Sequence, residues 1–132
     1  IDLMRGVTQH GTSVRLRYKY DLKGDMAGKT GTTNNHSDGW FMGIVPNLVS
    51  GAWVGGEERS IHFRGIRMGQ GASTALPIWA IYMKKIYADS TLSYKESDTF
   101  EEPEDLSIEL DCDKYDKMNQ ANINLNDPLG DY

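Results

Sequence analysis

Apolar and polar positions along the chain fall into blocks of different period. Leu3, Met4 and Val7 recur at helical spacing over residues 2–10, and Gly11 is a natural stop, so the pattern predicts a short helix there. Residues 14–20 alternate as a strand would, yet Val14, Arg15 and Tyr18 also fit one face of a helical turn, and the pattern leaves both readings open. Strands are predicted with clearer signals over 26–33, 39–45 and 48–55. In the second of these, Trp40, Met42 and Ile44 share one face while Phe41 and Val45 share the other. Pro46-Asn47 predicts a tight turn. The second and third strands are apolar on both faces, as central sheet positions require, and the short links favour antiparallel pairing.

Residues 56–71 read as a long loop carrying Gly56, Gly65, Gly69 and Gly71 together with Arg59, Arg64 and Arg67. A helix is predicted over 72–88, with Ser73 or Thr74 available as its cap and Pro77 tolerable near its first turn. Ala75, Ile78, Trp79, Tyr82 and Ile86 form the stripe expected to cover one sheet face. Trp40, Phe41, Trp53 and Trp79 are expected to be core or sheet-covering residues. The fold class is therefore α+β: an antiparallel sheet of three strands backed by a C-terminal helix. From Asp89 onward acids, Ser, Asn and Pro dominate, so residues 89–132 are expected to form a largely disordered acidic tail behind a folded portion at 1–88. The alternation of Leu106, Ile108 and Leu110 is the one hint of an edge strand within it.

Charge sharpens this division. The net charge of the 132-residue chain is −5, but residues 1–88 carry +5 and residues 89–132 carry −10. A mildly basic body suits an anionic ligand, and the acidic tail argues against nucleic acid as a partner of the whole chain. The single cysteine, Cys112, cannot form an internal disulfide. No stretch reaches the roughly 18 apolar residues of a membrane span. The chain does not begin with Met, which is the expectation for a processed piece of a longer protein.

The chemistry concentrates at Lys29-Thr30-Gly31-Thr32-Thr33. A phosphate-binding loop is excluded. Only three residues separate Gly24 from Gly28, where that loop needs four, and Gly31 with the β-branched Thr30, Thr32 and Thr33 opposes the helix that should open there. On a strand the same residues alternate. Lys29 then points one way, Thr30 and Thr32 point the other, and Gly31 lets a ligand approach the strand edge. An extended peptide can add to such an edge as a further strand, with the Thr32 N–H positioned to stabilise an oxyanion. His10, His36 and His62 lack metal-ligand spacing, and no cofactor is expected. Asp38 is expected to cap the turn leading into the next strand.

The motif resembles the third active-site motif of penicillin-binding proteins and serine β-lactamases. Its surroundings sharpen the likeness. Ala27 to Asn34, then Asp38-Gly39-Trp40-Phe41-Met42-Gly43, Trp53-Val54-Gly55-Gly56 and Ala75-Leu76-Pro77-Ile78-Trp79 are similar to the C-terminal part of the transpeptidase domain of class A, bifunctional penicillin-binding proteins. Gly11-Thr12 fits the lead-in, and the resemblance covers about residues 2–88.

It implies a fragment of the penicillin-binding fold and a serine D,D-transpeptidase that crosslinks peptidoglycan stem peptides, at the outer face of the bacterial cytoplasmic membrane. By the same resemblance Lys29 and Thr32 take catalytic roles, as cleft charge and oxyanion donor. Thr30, Gly31, Thr32 and Thr33 bind the substrate peptide or a β-lactam. No serine in the chain has Lys three residues later or Asn two residues later, so both the S-x-x-K nucleophile and the S-x-N motif are missing. This chain is therefore expected to be inactive alone, to contact membrane only through sequence upstream of it, and to self-associate through its uncovered sheet. The competing expectation is a stand-alone, non-catalytic module that binds cell-wall peptide or another extended ligand.

Overall fold

In the computed structural model the described residues are 1–104 and 108–126. They form two compact units, Ile1–Phe100 and Glu101–Tyr132. The first unit contains α1 (Asp2–Gln9), α2 (Arg15–Tyr18), β1 (Ala27–Thr32), β2 (Asp38–Val45), β3 (Leu48–Gly55), α3 (Ile66–Gly69) and α4 (Ala75–Ala88). The strands form one antiparallel sheet in the order β1-β2-β3. The fold is α+β, as the pattern predicts. At 14–20 the chain takes the helical alternative and not the strand, because Leu16 is drawn fully into the core while Tyr18 stays exposed.

Pairing follows from the turns. Pro46-Asn47 closes the β2–β3 hairpin with Val45 opposite Leu48, and Asn47 takes the left-handed φ of 66° that the second turn residue needs. This register places Phe41 and Val45 on the face packed by α4. Trp40 and Met42 share the other face with Lys29, Gly31, Val49, Gly51 and Trp53.

The core lies between the sheet and α4. Leu16, Leu22, Met26, Phe41, Val45, Leu76, Trp79 and Met83 are its large buried members. Phe41 meets Trp79 edge-on, with ring centroids 5.1 Å apart, and the Trp79 indole N–H donates to Ser50 Oγ at 2.9 Å. Gly43 is required beneath that indole, since a Cβ there would collide with the Trp79 ring. The buried side of α4 is Ala75, Leu76, Trp79, Ala80 and Met83. This corrects the expected stripe, because Ile78 and Tyr82 are exposed. The helix is apolar nearly all round, so period alone does not select its packed face. Thr74 does occupy the N-cap, but its hydroxyl donates to the Gln70 carbonyl at 3.1 Å instead of capping α4. Trp40 and Trp53 also depart from expectation. They are 48% and 46% exposed on the face that α4 does not cover.

Residues 89–100 belong to the first unit. Glu96 Oε1 accepts the N–H groups of Lys23 and Gly24 at 2.6 and 3.3 Å, and the Phe100 N–H donates to Asp25 Oδ2 at 3.1 Å. In the second unit, α5 (Cys112–Asn126) begins where Asp111 Oδ1 accepts the N–H groups of Asp113 and Lys114. The alternation at Leu106, Ile108 and Leu110 falls partly outside the described residues. Among the described residues no helix is long and apolar enough to cross a membrane.

Candidate functional site

The site is built on β1, an edge strand. The Thr33 N–H donates to the Asp38 carbonyl at 3.1 Å, which places the odd-numbered residues of β1 in the rows bonded to β2. The N–H and C=O groups of Thr30 and Thr32 therefore point away from the sheet, along its free edge. The Lys29 ammonium lies at that edge and donates to the Thr30 carbonyl at 2.9 Å. Lys29, exposed, stands opposite Met42, while Thr30 stands opposite Phe41 and Thr32 opposite Gly39. The alternation expected of a strand thus separates the cation from the two hydroxyls by one pleat. Gly31 sits opposite Trp40, where a Cβ would come within 3.2 Å of the Trp40 Cβ.

Neighbouring segments hold the hydroxyls. Thr12 Oγ1 lies 3.4 Å from Thr30 Oγ1, bringing the turn between α1 and α2 to the strand. Thr8, fully buried, donates to the Met26 carbonyl at 2.7 Å and fixes the strand's entry. Thr32 Oγ1 accepts the Gly71 N–H at 3.0 Å. Gly71 was legible only as a loop glycine. The structure shows that its missing side chain lets the 56–71 loop lie against the Gly31 and Trp40 carbonyls.

Thr33 is placed differently from Thr30 and Thr32. Its hydroxyl accepts the Asp38 N–H at 3.0 Å and lies 3.0 Å from Ser37 Oγ, so it closes the turn after β1. Thr33, not Asp38, is thus the turn's cap. The Asp38 carboxylate instead accepts from Ser37 Oγ at 2.9 Å and from the Trp53 indole at 3.0 Å, tying the turn to β3. Among the described residues no group of His, Cys, Asp and Glu could hold a metal ion.

No protein-family model matches the chain. An edge strand bearing Lys-Thr-Gly-Thr-Thr, in a three-stranded antiparallel sheet backed by the helix Ala75–Ala88, nevertheless defines its class. The chain belongs to the class A penicillin-binding proteins and corresponds to part of their transpeptidase domain. Penicillin-binding protein 1A is the particular protein it resembles. It is 37% identical over 113 residues to that of Aquifex aeolicus, a match covering 83% of this chain and 14% of that protein. The counterpart from Neisseria lactamica is 36% identical over 83 residues, covering 63% of this chain and 9% of the relative. The crystal structure of penicillin-binding protein 1A from Haemophilus influenzae matches with a TM-score of 0.56 and 36% identity, over 71% of this chain and 13% of that one. The chain thus spans only 9% to 14% of the length of these relatives.

Proposed function

We propose that this chain supplies the substrate-gripping strand of a serine D,D-transpeptidase that crosslinks peptidoglycan stem peptides, and that it is inactive by itself. The observation that carries this reading is the free edge of β1, with the Thr30 and Thr32 amides turned outward beside an exposed Lys29. A peptide or β-lactam carbonyl laid on that edge meets the Thr32 N–H. One such donor is worth about 3 kcal/mol of transition-state stabilisation. Thr30 and Thr32 bind the substrate carboxylate through their hydroxyls, Thr33 supports them by holding the turn, and Lys29 adds the positive charge that attracts the anion.

Inactivity follows from the absence of a serine with Lys three residues later. The nucleophile comes from sequence upstream, which also carries the membrane attachment of an enzyme working at the outer face of the cytoplasmic membrane. The transpeptidase portion is residues 1–88, followed by the acidic segment 89–132, of which residues 89–100 belong to the same compact unit. The isolated chain self-associates through the apolar face around Trp40 and Trp53. A single sharp monomer boundary in sedimentation at high concentration would overturn that part.

Labelling of the full-length protein with fluorescent penicillin tests the main reading. Lys29→Ala reduces the acylation rate by about tenfold or more. Undiminished labelling removes Lys29 from the role.

A further inference from the structure

Composition alone predicts disorder for residues 89–100, yet two turns shape this segment. The Leu92 N–H donates to the Asp89 carbonyl at 3.2 Å, and Asp89 Oδ1 accepts both the N–H and the hydroxyl of Thr91. The Asp98 N–H donates to the Lys95 carbonyl at 3.1 Å, and Asp98 Oδ2 accepts the Lys95 N–H at 3.0 Å. Glu96 is therefore a corner residue of the second turn.

The segment grips the chain just ahead of β1. Glu96 Oε1 accepts two successive amides, those of Lys23 and Gly24, in charge-assisted hydrogen bonds. Gly24 lies so close that a Cβ there would come within 2.7 Å of the Glu96 carbonyl oxygen. Asp25 is bound on both sides. Its Oδ2 accepts the Phe100 N–H and its Oδ1 accepts the Arg5 Nε–H, each at 3.1 Å. The Arg5 guanidinium also stands 6.0 Å from the centre of the Phe100 ring. The Asp25 side chain is only 14% exposed, so water screens this ion pair little.

Two routes lead from this grip to the candidate site. Ladder pairing begins at Ala27, opposite Ile44, so residues 23–25 are placed from outside the sheet. Glu96 and Arg5 do this together with Arg17, whose guanidinium donates to the Lys23 carbonyl at 3.0 Å. The Met26 carbonyl, between Asp25 and β1, accepts the Thr8 hydroxyl. Arg5 and Thr8 lie one turn apart on α1, and the turn after α1 sets Thr12 Oγ1 3.4 Å from Thr30 Oγ1. Strand and helix thus reach the threonines from one anchor.

We infer that Glu96 and Asp25 are positioning residues for the transpeptidase reaction, through which the 89–100 segment sets where β1 holds the Thr32 N–H and the Thr30 hydroxyl. The inference rests on the edge-strand reading above. Neither carboxylate touches substrate. Their effect falls on the acylation step, because a displacement of about 1 Å at the reacting groups costs up to about a hundredfold in rate.

The test uses the full-length protein and fluorescent penicillin. The acylation rate constant and the dissociation constant of the non-covalent complex are measured separately, beside the melting temperature. Glu96→Ala is expected to lower the rate constant about tenfold with little change in the dissociation constant. Glu96→Gln, whose amide oxygen can accept the same two N–H groups, regains most of the rate. Gly24→Ala pushes the segment away from the opposite side and reproduces the loss. The double variant Gly24→Ala/Glu96→Ala is no slower than either single one, because both break one contact. An unchanged rate constant in Glu96→Ala overturns the inference. So does a loss confined to the dissociation constant, a loss that glutamine does not restore, or additive losses in the double variant. Loss of rate through unfolding at the assay temperature overturns it as well, since the segment would then support the fold as a whole. The underlying reading fails separately, through undiminished penicillin labelling of Lys29→Ala.

Discussion

The two faces of the sheet, one bearing Phe41 and the other Trp40 and Trp53, meet opposite fates. On one, Phe41 and Val45 lie under Trp79 and Met83 and lose all or nearly all contact with solvent. On the other, Trp40, Met42, Val49 and Trp53 remain 42% to 64% exposed, with the two tryptophan rings tilted against each other at 6.4 Å. Alternation along β2 separates the two sets but does not say which one a helix will cover. The covered face stabilises this chain by burial. The open face leaves an exposed apolar patch of the kind that marks an interaction surface.

Substitutions can break this contrast. The largest effect is expected from Trp79→Ala, which removes the largest fully buried side chain and its hydrogen bond to Ser50. A loss of about 3–5 kcal/mol in denaturant unfolding is expected. Gly43→Val follows at about 1–3 kcal/mol, because the new side chain must displace the Trp79 indole. On the open face Trp40→Ala should cost under about 1 kcal/mol when the chain is dilute. If its cost instead matches that of Trp79→Ala and grows with protein concentration, a second copy covers the face, and the contrast lies between faces buried at different stages of assembly.

The smallest effect concerns Tyr87 and depends on pH. Burial, reinforced by the carboxylates of Glu96 and Asp98, pushes its phenol from 10.0 up to about 12. The raised value means that the folded state favours the neutral phenol. That contribution is fully present below pH 10 and is lost as pH rises toward 12. Tyr87→Phe should therefore unfold less steeply than the parent between pH 10 and 12, with no difference at pH 8. Identical profiles would show that the Tyr87 phenol is not buried beside Glu96 and Asp98 in solution.

Much of the sheet was legible because its signals are local. Pro46-Asn47 marks a two-residue turn, and the flanking residues place Val45 against Leu48 whatever packs above them. Lys29 to Thr32 could be recognised as a strand because β-branched residues and Gly31 oppose a helix. The helix Ala75–Ala88 was equally visible, but its buried side was not. Ile78 and Met83 are both apolar, and only contact with Phe41 and Ser50 selects the Trp79 side. Residues 14–20 illustrate the same limit. Two periods fitted them, and burial of Leu16 decided for the helix.

The site divides in the same way. Sequence alone identified the family and put a cation, two hydroxyls and a glycine on consecutive strand positions, because these follow from residue identity and a period of two. It could not show which backbone groups of that strand are free, since this depends on the hydrogen-bond row set by Thr33 and Asp38. Nor could it show that Gly71, 39 residues beyond Thr32, holds the Thr32 hydroxyl. Such contacts join segments that chain connectivity leaves independent. They exist only once burial of the core has folded the 56–71 loop back onto β1.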